Sequence, residues 1–337
     1  MSKAKEFIKY SIVNSGIPQI IRQNRDPAIA ILRYHSIQED PLLNNDFIDC
    51  DIVHPLAVFA EQMEFVARKY HPVSMDEVSL FLNGKKTIPK NAVAVTFDDG
   101  FADNFEAANS VLMQFGIPAT FYVTVSSMVT RVLPWFCRIR YAFAKTNKKN
   151  WFDNRTGINR SIDSAAGKHS VFRVVADRCA AMSGLEQGKY VTKIECDLEV
   201  RSFYAPDIML SWEQIKKLQN DGHIIGSHTM THPNVAQIEK SEQTWELEKS
   251  KQLLEDELGI SCKHFSYPHP TLNPHWTEKT GELTAVAGYE TATTTTFGVV
   301  RKGDNPLAIK RIAAPKEGLE FKFLLETVTL KQTAGLN

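Results

Sequence analysis

The chain has 337 residues, 43% of them hydrophobic, which supports a large core and one elaborated α/β barrel rather than three small domains. Its 39 basic and 39 acidic residues balance, which excludes steering of partners by net charge; without a nucleic-acid-binding motif, no nucleic-acid partner is expected. The five cysteines are odd in number and show no Cys-x-x-Cys spacing, which argues against a disulfide framework and fits a reducing compartment.

Residues 1–27 are expected to form an N-terminal helical arm ahead of a barrel that occupies residues 28–337. The arm lacks the apolar core of a secretory signal, and no run of about 18 apolar residues occurs in the chain. We therefore expect a cytoplasmic protein, with peripheral contact to the inner membrane face left open. Phe7, Ile8, Ile12 and Val13 would share one face of the arm, and this face either packs on the barrel or touches a membrane.

Strands and helices alternate along the chain, a pattern typical of α/β folds. Apolar strands are predicted at 29–34 and 92–97, the latter followed by a helix at 103–115, and another helix is predicted at 55–70. Later helices are predicted at 212–218, 241–258 and 318–330, and late strands at 285–294 and 297–301.

The strand at 92–97 stops at two adjacent carboxylates, Asp98 and Asp99, followed by Gly100. The carboxyl edge of the sheet is where α/β folds place their ligands. Burying two charges there costs desolvation free energy, which a bound cation would offset. The pair therefore indicates a metal-dependent site in which one carboxylate holds the ion and the other is free for acid–base work.

Residues 128–208 make a segment of about 80 residues that is too long for a plain loop, so we expect a folded insertion. Its beginning is basic and aromatic: Arg131, Arg138, Arg140, Lys145, Lys148 and Lys149 are interleaved with Leu133, Trp135, Phe136, Tyr141 and Phe143. This stretch fits contact with an anionic glycan, a lipid-linked pyrophosphate or a membrane surface. A solvated helix with an apolar core face explains it equally well.

Two histidines, His228 and His232, are four positions apart. On a strand they would lie about 13 Å apart, too far to share an ion, whereas on a helical turn or tight loop they are neighbours. Two imidazoles and one carboxylate would make three protein ligands of a catalytic metal, with an open position for water. Such a pair alone is weak evidence, but together with Asp98 and Asp99 it indicates a hydrolytic metal site.

These segments resemble the polysaccharide deacetylase (NodB-homology) family. The resemblance rests on Thr-Phe-Asp-Asp-Gly at 96–100, Ile-Pro-Ala-Thr-Phe-Tyr-Val at 117–123 and His-Thr-Met-Thr-His-Pro at 228–233, and it covers roughly residues 28–315. It implies a distorted (β/α) barrel. It also implies that Asp98 is the general base and that Asp99, His228 and His232 hold a divalent metal, for which Zn²⁺ is the best candidate.

The third family motif departs from the usual pattern, because Ser266 stands where the family carries an arginine that orients the base. Arg311 is the candidate replacement, although an ordinary surface arginine on a last strand is an equal alternative. The backbone N–H of His269 would correspond to the group that stabilises the oxyanion.

The family's late histidine, which protonates the leaving amine, has no counterpart here, since no histidine follows His275. The apolar strand that leads into Tyr34 and His35 resembles the opening motif of the poly-N-acetylglucosamine deacetylase branch, in which the last strand has moved to the front. The resemblance therefore implies that His35 is the acid. The alternative is that His35 only caps a strand end.

Taken together, the motifs predict a metal-dependent hydrolase that removes an N-acetyl group from an amino sugar of a polysaccharide or lipid-linked glycan precursor, in exopolysaccharide biosynthesis. Two alternatives stay open. An amidohydrolase acting on a small acylated or cyclic amide would have a narrow pocket instead of an open groove. A catalytically silent glycan-binding module would have His35 far from the metal ligands.

Overall fold

The computed structural model describes residues 3–24, 26–40, 46–200, 207–268 and 273–331. The α-helices within these ranges are α1 (Lys3–Asn14), α2 (Ile17–Gln23), α3 (Leu56–Lys69), α4 (Met75–Leu82), α5 (Asn109–Phe115), α6 (Val125–Thr130), α7 (Trp135–Lys145), α8 (Ala165–Ala180), α9 (Gly184–Asp197), α10 (Trp212–Asn220), α11 (Lys240–Leu258), α12 (Glu278–Val286) and α13 (Gly318–Lys331). The strands are β1 (Ala28–Tyr34), β2 (Ser36–Gln38), β3 (Val53–Pro55), β4 (His71–Pro72), β5 (Ala92–Phe97), β6 (Ala119–Val123), β7 (Asn150–Asp153), β8 (Ile158–Ser161), β9 (Ile224–Ser227), β10 (His264–Ser266), β11 (Thr291–Phe297), β12 (Val300–Arg301) and β13 (Ile309–Ala313).

Seven parallel strands of the described chain close into a barrel in the order β1, β13, β11, β10, β9, β6 and β5. β5 pairs back onto β1 from Ala30 opposite Val93 to Tyr34 opposite Phe97, which closes the ring. Outside the ring, β4 pairs with β5 and β12 runs antiparallel to β1. The distorted (β/α) barrel predicted from the sequence is confirmed.

Alternation along the strands decides which side chains fill the barrel, because successive residues of a strand point to opposite faces. In β1, Ile29 and Ile31 join an interior cluster with Ala92 and Ala94 of β5, whereas Leu32 packs in the large cluster under the surrounding helices. The same alternation directs the polar residues Arg33, Thr96, Asp98 and Arg311 into the barrel near its carboxyl edge. The lower interior is thus apolar and the upper interior is charged.

The helices predicted in the barrel all form, but the two predicted late strands are wrong in their bounds. The strand predicted at 297–301 is interrupted, since Phe297 ends β11 and β12 consists of Val300–Arg301. The helix predicted from Asp103 begins with a π-helical turn, Asn104–Ala108, that leads into α5. The strand predicted at 285–294 is helical through Val286, and β11 begins only at Thr291. The physical reason is the cap at Thr277, whose hydroxyl accepts a hydrogen bond from the Thr280 N–H and starts a helix that the later apolar residues continue.

The segment predicted as an insertion contains α7, β7, β8, α8 and α9 between β6 and α10. These elements share an apolar cluster that is separate from the barrel core and includes Ile139, Phe143, Val175 and Val191. A buried carboxylate adds to it, since Asp153 accepts two hydrogen bonds from Arg178, at 2.7 and 2.6 Å. The segment therefore has its own core.

The N-terminal arm, α1 and α2, packs on α13. Arg22 anchors it with one Nη donating to Glu326 at 2.9 Å and the other to the Tyr70 hydroxyl at 2.8 Å. Phe7 and Ile8, on the face predicted either to pack on the barrel or to touch a membrane, are 71% and 56% exposed. Within the described ranges, no helix combines the length and apolar character needed to cross a membrane.

Candidate metal centre and active site

Asp98 and Asp99 follow β5 directly, at the mouth of the barrel. The chain turns sharply there, with φ of 75° at Asp99 and 84° at Gly100, in the left-handed region that aspartate adopts more readily than most residues and glycine most readily of all. A side chain at Gly100 would also come within 3.2 Å of Val123 on the neighbouring strand. This turn aims the two carboxylates in different directions.

His228 and His232 lie on the loop after β9, which the structure brings to the same mouth. The Nε2 atoms of His228 and His232 lie 3.4 and 3.2 Å from Oδ1 of Asp99. Three ligands placed tetrahedrally at about 2.0–2.1 Å from a metal are about 3.3 Å apart, so the donor set fits one ion. Nδ1 of His228 faces the Ser266 carbonyl oxygen at 2.7 Å, an arrangement that leaves its Nε2 lone pair free for a metal.

Glu246 of α11, which sequence reasoning missed, shapes the loop that carries these histidines. Its Oε2 accepts hydrogen bonds from the backbone N–H groups of Met230 and Thr231 at 2.8 and 2.9 Å, and its Oε1 accepts one from the Thr231 hydroxyl. Burial raises the pKa of Glu246 to about 7 against the effect of these bonds. A signal existed in the sequence, because Glu246 lies between the buried positions 243 and 250 on one face of α11.

The insertion also touches the metal-ligand loop, another feature that the sequence did not reveal. The indole N–H of Trp135 in α7 donates to the backbone carbonyl of His232 at 3.0 Å, and the Phe136 ring lies 4.7 Å from the His232 ring. The Asn234 N–H donates to the Ala180 carbonyl at 2.8 Å. The Trp135 bond matters because His232 has a φ of 60°, a strained value for a residue with a side chain.

Arg311 of β13 lies in the interior and holds Asp98. Its two Nη atoms donate to the two carboxylate oxygens of Asp98 at 2.8 and 2.6 Å, and one also donates to the Ser266 hydroxyl at 3.0 Å. Its guanidinium thus reaches Ser266, the position at which the resemblance noted in the sequence implies an arginine. The surface alternative fails, because Arg311 is only 1% exposed.

The charge of Arg311 determines the state of Asp98. Burial by itself would raise the pKa of Asp98, but the charge and hydrogen bonds of Arg311, with a contribution from His228, hold this pKa well below its ordinary value. Asp98 is therefore a carboxylate at neutral pH. Both of its oxygens are fixed in direction by a bidentate, charge-assisted contact.

His35, just beyond β1, lines a cavity of about 290 Å³ together with Asp98, Asp99, His228 and His232. Burial lowers the pKa of His35 to about 4, although Asp99 and Asp98 act in the opposite direction. The structure thus gathers five of the residues singled out in the sequence around one cavity, with Arg311 behind Asp98. His269 lies outside the described residues.

The family model for polysaccharide deacetylases matches residues 85–292, more than half of the chain. The chain belongs to the polysaccharide deacetylase family. It is 22% identical over 293 residues to the putative polysaccharide deacetylase YxkH of Bacillus subtilis. The aligned region covers 87% of this chain and 73% of that protein.

Two solved structures share the fold of this deacetylase family member. The Streptococcus pyogenes deacetylase PplD, solved in complex with acetate, superposes with a TM-score of 0.60 and 19% identity over 90% of this chain and 99% of its own. IcaB from Ammonifex degensii superposes with a TM-score of 0.57 and 18% identity over 90% of this chain and 98% of its own. The family and the enzyme class predicted from the sequence, a hydrolase of carbon–nitrogen bonds, are confirmed.

The cations of the basic stretch at 131–149 of this deacetylase are all paired with acidic residues of the same chain. Each of its six cations forms an ion pair, in the order Arg131–Asp207, Arg138–Glu195, Arg140–Asp49, Lys145–Asp46, Lys148–Glu199 and Lys149–Asp163. Its aromatic residues are also engaged, since Tyr141 stacks on Phe47 at 4.2 Å and Phe143 is buried in the insertion core. Local contacts therefore account for the composition of this stretch.

Proposed function

We propose that this protein is a metal-dependent N-deacetylase that removes the acetyl group from an acetamido sugar of a polysaccharide or a lipid-linked glycan precursor. One observation supports the proposal above all: an ionised Asp98, fixed by Arg311, lies in the same cavity as a three-ligand set of Asp99, His228 and His232. A base beside a metal site is the arrangement that amide hydrolysis by water requires.

Asp99, His228 and His232 would hold the metal, and Zn²⁺ suits their mixed nitrogen and oxygen donors, although nickel, cobalt or ferrous iron would also be accepted. Bound there, the ion would polarise the amide carbonyl and acidify a water molecule. Asp98 would accept the proton of that water. The backbone N–H of His269 remains our candidate for a further donor to the oxyanion.

His35 is proposed to protonate the departing amine. At a pKa of about 4 its imidazole is neutral at pH 7, so this role requires that the pKa of His35 be higher in the substrate complex. Its position on the cavity wall argues against the glycan-binding module that lacks catalysis, which would place His35 far from the metal ligands.

The test is acetate release from acetamido sugars by purified protein supplied with zinc. Asp98→Asn should lose activity by a factor of about 100 or more while it retains its metal, since it removes the base and none of the ligands. Full activity of Asp98→Asn would refute the base assignment. Turnover that survives removal of every divalent ion would refute the metal dependence.

The size of the cavity favours a second candidate, hydrolysis of a small acylated amide. A volume of about 290 Å³ is at the lower end of ligand pockets, and the insertion contributes Trp135, Phe136 and Phe172 to its wall. Such a space suits about one sugar unit. Comparing acetate release from N-acetylglucosamine with release from its tetramer separates the two candidates, because a polymer-specific enzyme prefers the tetramer.

A cytoplasmic location and a role in exopolysaccharide biosynthesis are part of the same proposal. All five cysteines are free, which suits a reducing compartment. Contact of the insertion with a membrane gains no support from the six cations of its basic stretch, each of which already has an acidic partner. Cell fractionation tests the location, and recovery of the protein outside the cytoplasmic fraction would overturn it.

A further inference from the structure

Arg33 is a charged residue of the cavity that the proposed reaction does not use. It belongs to β1, opposite Thr96 of β5 and Ala313 of β13, and alternation with Ile29 and Ile31 directs its side chain into the barrel. Its guanidinium lines the same cavity as His35, Asp98 and Asp99.

This guanidinium has no ionic partner among the described residues. Its Nε is buried without a hydrogen-bond acceptor, and Asp98 and Asp99 act on it only through longer-range attraction. Burial and the neighbouring charge of Arg311 lower the pKa of Arg33 to about 10, so it remains protonated at neutral pH. Arg33 as a whole is partly exposed to the cavity, but a guanidinium whose Nε is buried without an acceptor is unfavourable for the folded state.

The carboxylates nearest to Arg33 are already engaged. Both oxygens of Asp98 accept hydrogen bonds from Arg311, and Asp99 faces the two histidines of the metal set. At the rim, Asp49 is paired with Arg140 and Asp51 lies exposed, while Arg173 adds a further cation to the wall. The inner end of the cavity therefore offers a positive group that a ligand can pair with.

We propose that Arg33 binds an acidic group of the substrate, a carboxylate or a phosphate on the same sugar unit as the acylated nitrogen. Guanidinium groups recognise both anions through paired N–H donors, and a cavity of about 290 Å³ leaves room for a single sugar unit with such a substituent. The inference rests on the proposed deacetylase function and narrows its substrate to acidic acylamino sugars. Arg33 is then a specificity residue.

The first test is equilibrium binding of sugars that lack an amide, so that it does not depend on turnover. Glucose, glucose 1-phosphate, glucose 6-phosphate, glucuronic acid and acetate are titrated into zinc-loaded protein by calorimetry. At least one acidic sugar should bind about 10- to 100-fold more tightly than glucose, the range expected of a charge-assisted contact. Tighter binding of a glucose phosphate would identify the acidic group as a phosphate, and tighter binding of glucuronic acid would identify it as a carboxylate.

The variants give the decisive comparison. Arg33→Met should abolish the preference for acidic sugars, and Arg33→Lys should restore part of it. Arg22→Met, which removes an arginine that does not line this cavity and pairs with Glu326 elsewhere, should leave the preference intact. Equal binding of all sugars by the original protein, or a preference that survives Arg33→Met, would overturn the proposal. Weakened binding of acetate alone would also overturn it, because Arg33 would then hold the product.

The stability of the Arg33→Met variant distinguishes a binding role of Arg33 from a structural one. Since Arg33→Met removes a partly buried charge that has no ionic partner among the described residues, its midpoint of urea unfolding should be no lower than that of the original protein. A lower midpoint with unchanged sugar preference would mean that Arg33 serves the fold. If acidic sugars bind through Arg33 but no acetamido sugar releases acetate, the proposed function fails while the binding site stands.

Discussion

Arg311 offers the sharpest test of how the site is built, through the substitution Arg311→Met. The change leaves Asp98 buried at 2% exposure without its bidentate partner. Breaking a buried ion pair from one side costs about 3–5 kcal/mol of unfolding free energy, because the remaining charge loses its hydrogen-bonded partner, and Arg33 offsets only part of this cost. With the guanidinium gone, burial raises the pKa of Asp98, and the protonated carboxyl no longer acts as a base. We therefore expect lower stability and a loss of activity by a factor of about 100 or more.

Urea unfolding and acetate release measure the two effects separately. Arg22→Met is the matched control, since it breaks a similarly buried pair with Glu326 away from the cavity; it should lose stability and keep its kcat. Arg311→Lys retains the positive charge but cannot donate hydrogen bonds to both Asp98 oxygens as the planar guanidinium does. It should therefore be more stable to urea than Arg311→Met and still have a reduced kcat. If Arg311→Met keeps both its stability and its kcat, the assignment of Arg311 as the residue that positions the base is wrong.

Two further predictions concern the loop that carries the histidines. Trp135→Phe leaves the His232 carbonyl without its 3.0 Å donor, and zinc affinity measured by chelator competition should fall about 10-fold, whereas Trp151→Phe, which has no such bond, should leave zinc affinity unchanged. The pKa of Glu246 is about 7 in the folded protein and about 4.5 in the unfolded chain, so folding favours its protonated form. This stabilisation is fully present below pH 4.5 and is lost as the pH rises through 7, which lowers the free energy of unfolding by about 3 kcal/mol in total. Glu246→Gln should show less of this decline between pH 5 and pH 8 in urea unfolding, and an equal decline in both proteins would contradict the assignment.

The motifs made the barrel and the metal set predictable, because their chemistry is local in sequence. Asp98 and Asp99 end an apolar strand, and His228 and His232 share one short loop. The partners of these residues were less accessible, since they come from distant parts of the chain: Glu246 from α11 and Trp135 from the insertion. No spacing rule reports that an indole in an inserted helix meets a histidine carbonyl about 100 residues later.

The strand order explains why, of the two arginines in the upper barrel, Arg311 is paired with Asp98 and Arg33 has no ionic partner among the described residues. β1 lies between β13 and β5, so the guanidinium of Arg311 passes over β1 to reach Asp98, and Arg33 on β1 is left beside it. Arg311 both occupies the carboxylate that Arg33 would otherwise pair with and repels Arg33. It follows that Arg33 is the residue best placed to compensate when Arg311 is removed. A double-mutant cycle measures this relation: Arg311→Met should cost more unfolding free energy in the Arg33→Met background than alone, and strictly additive losses would show that the two guanidinium groups do not compete for Asp98.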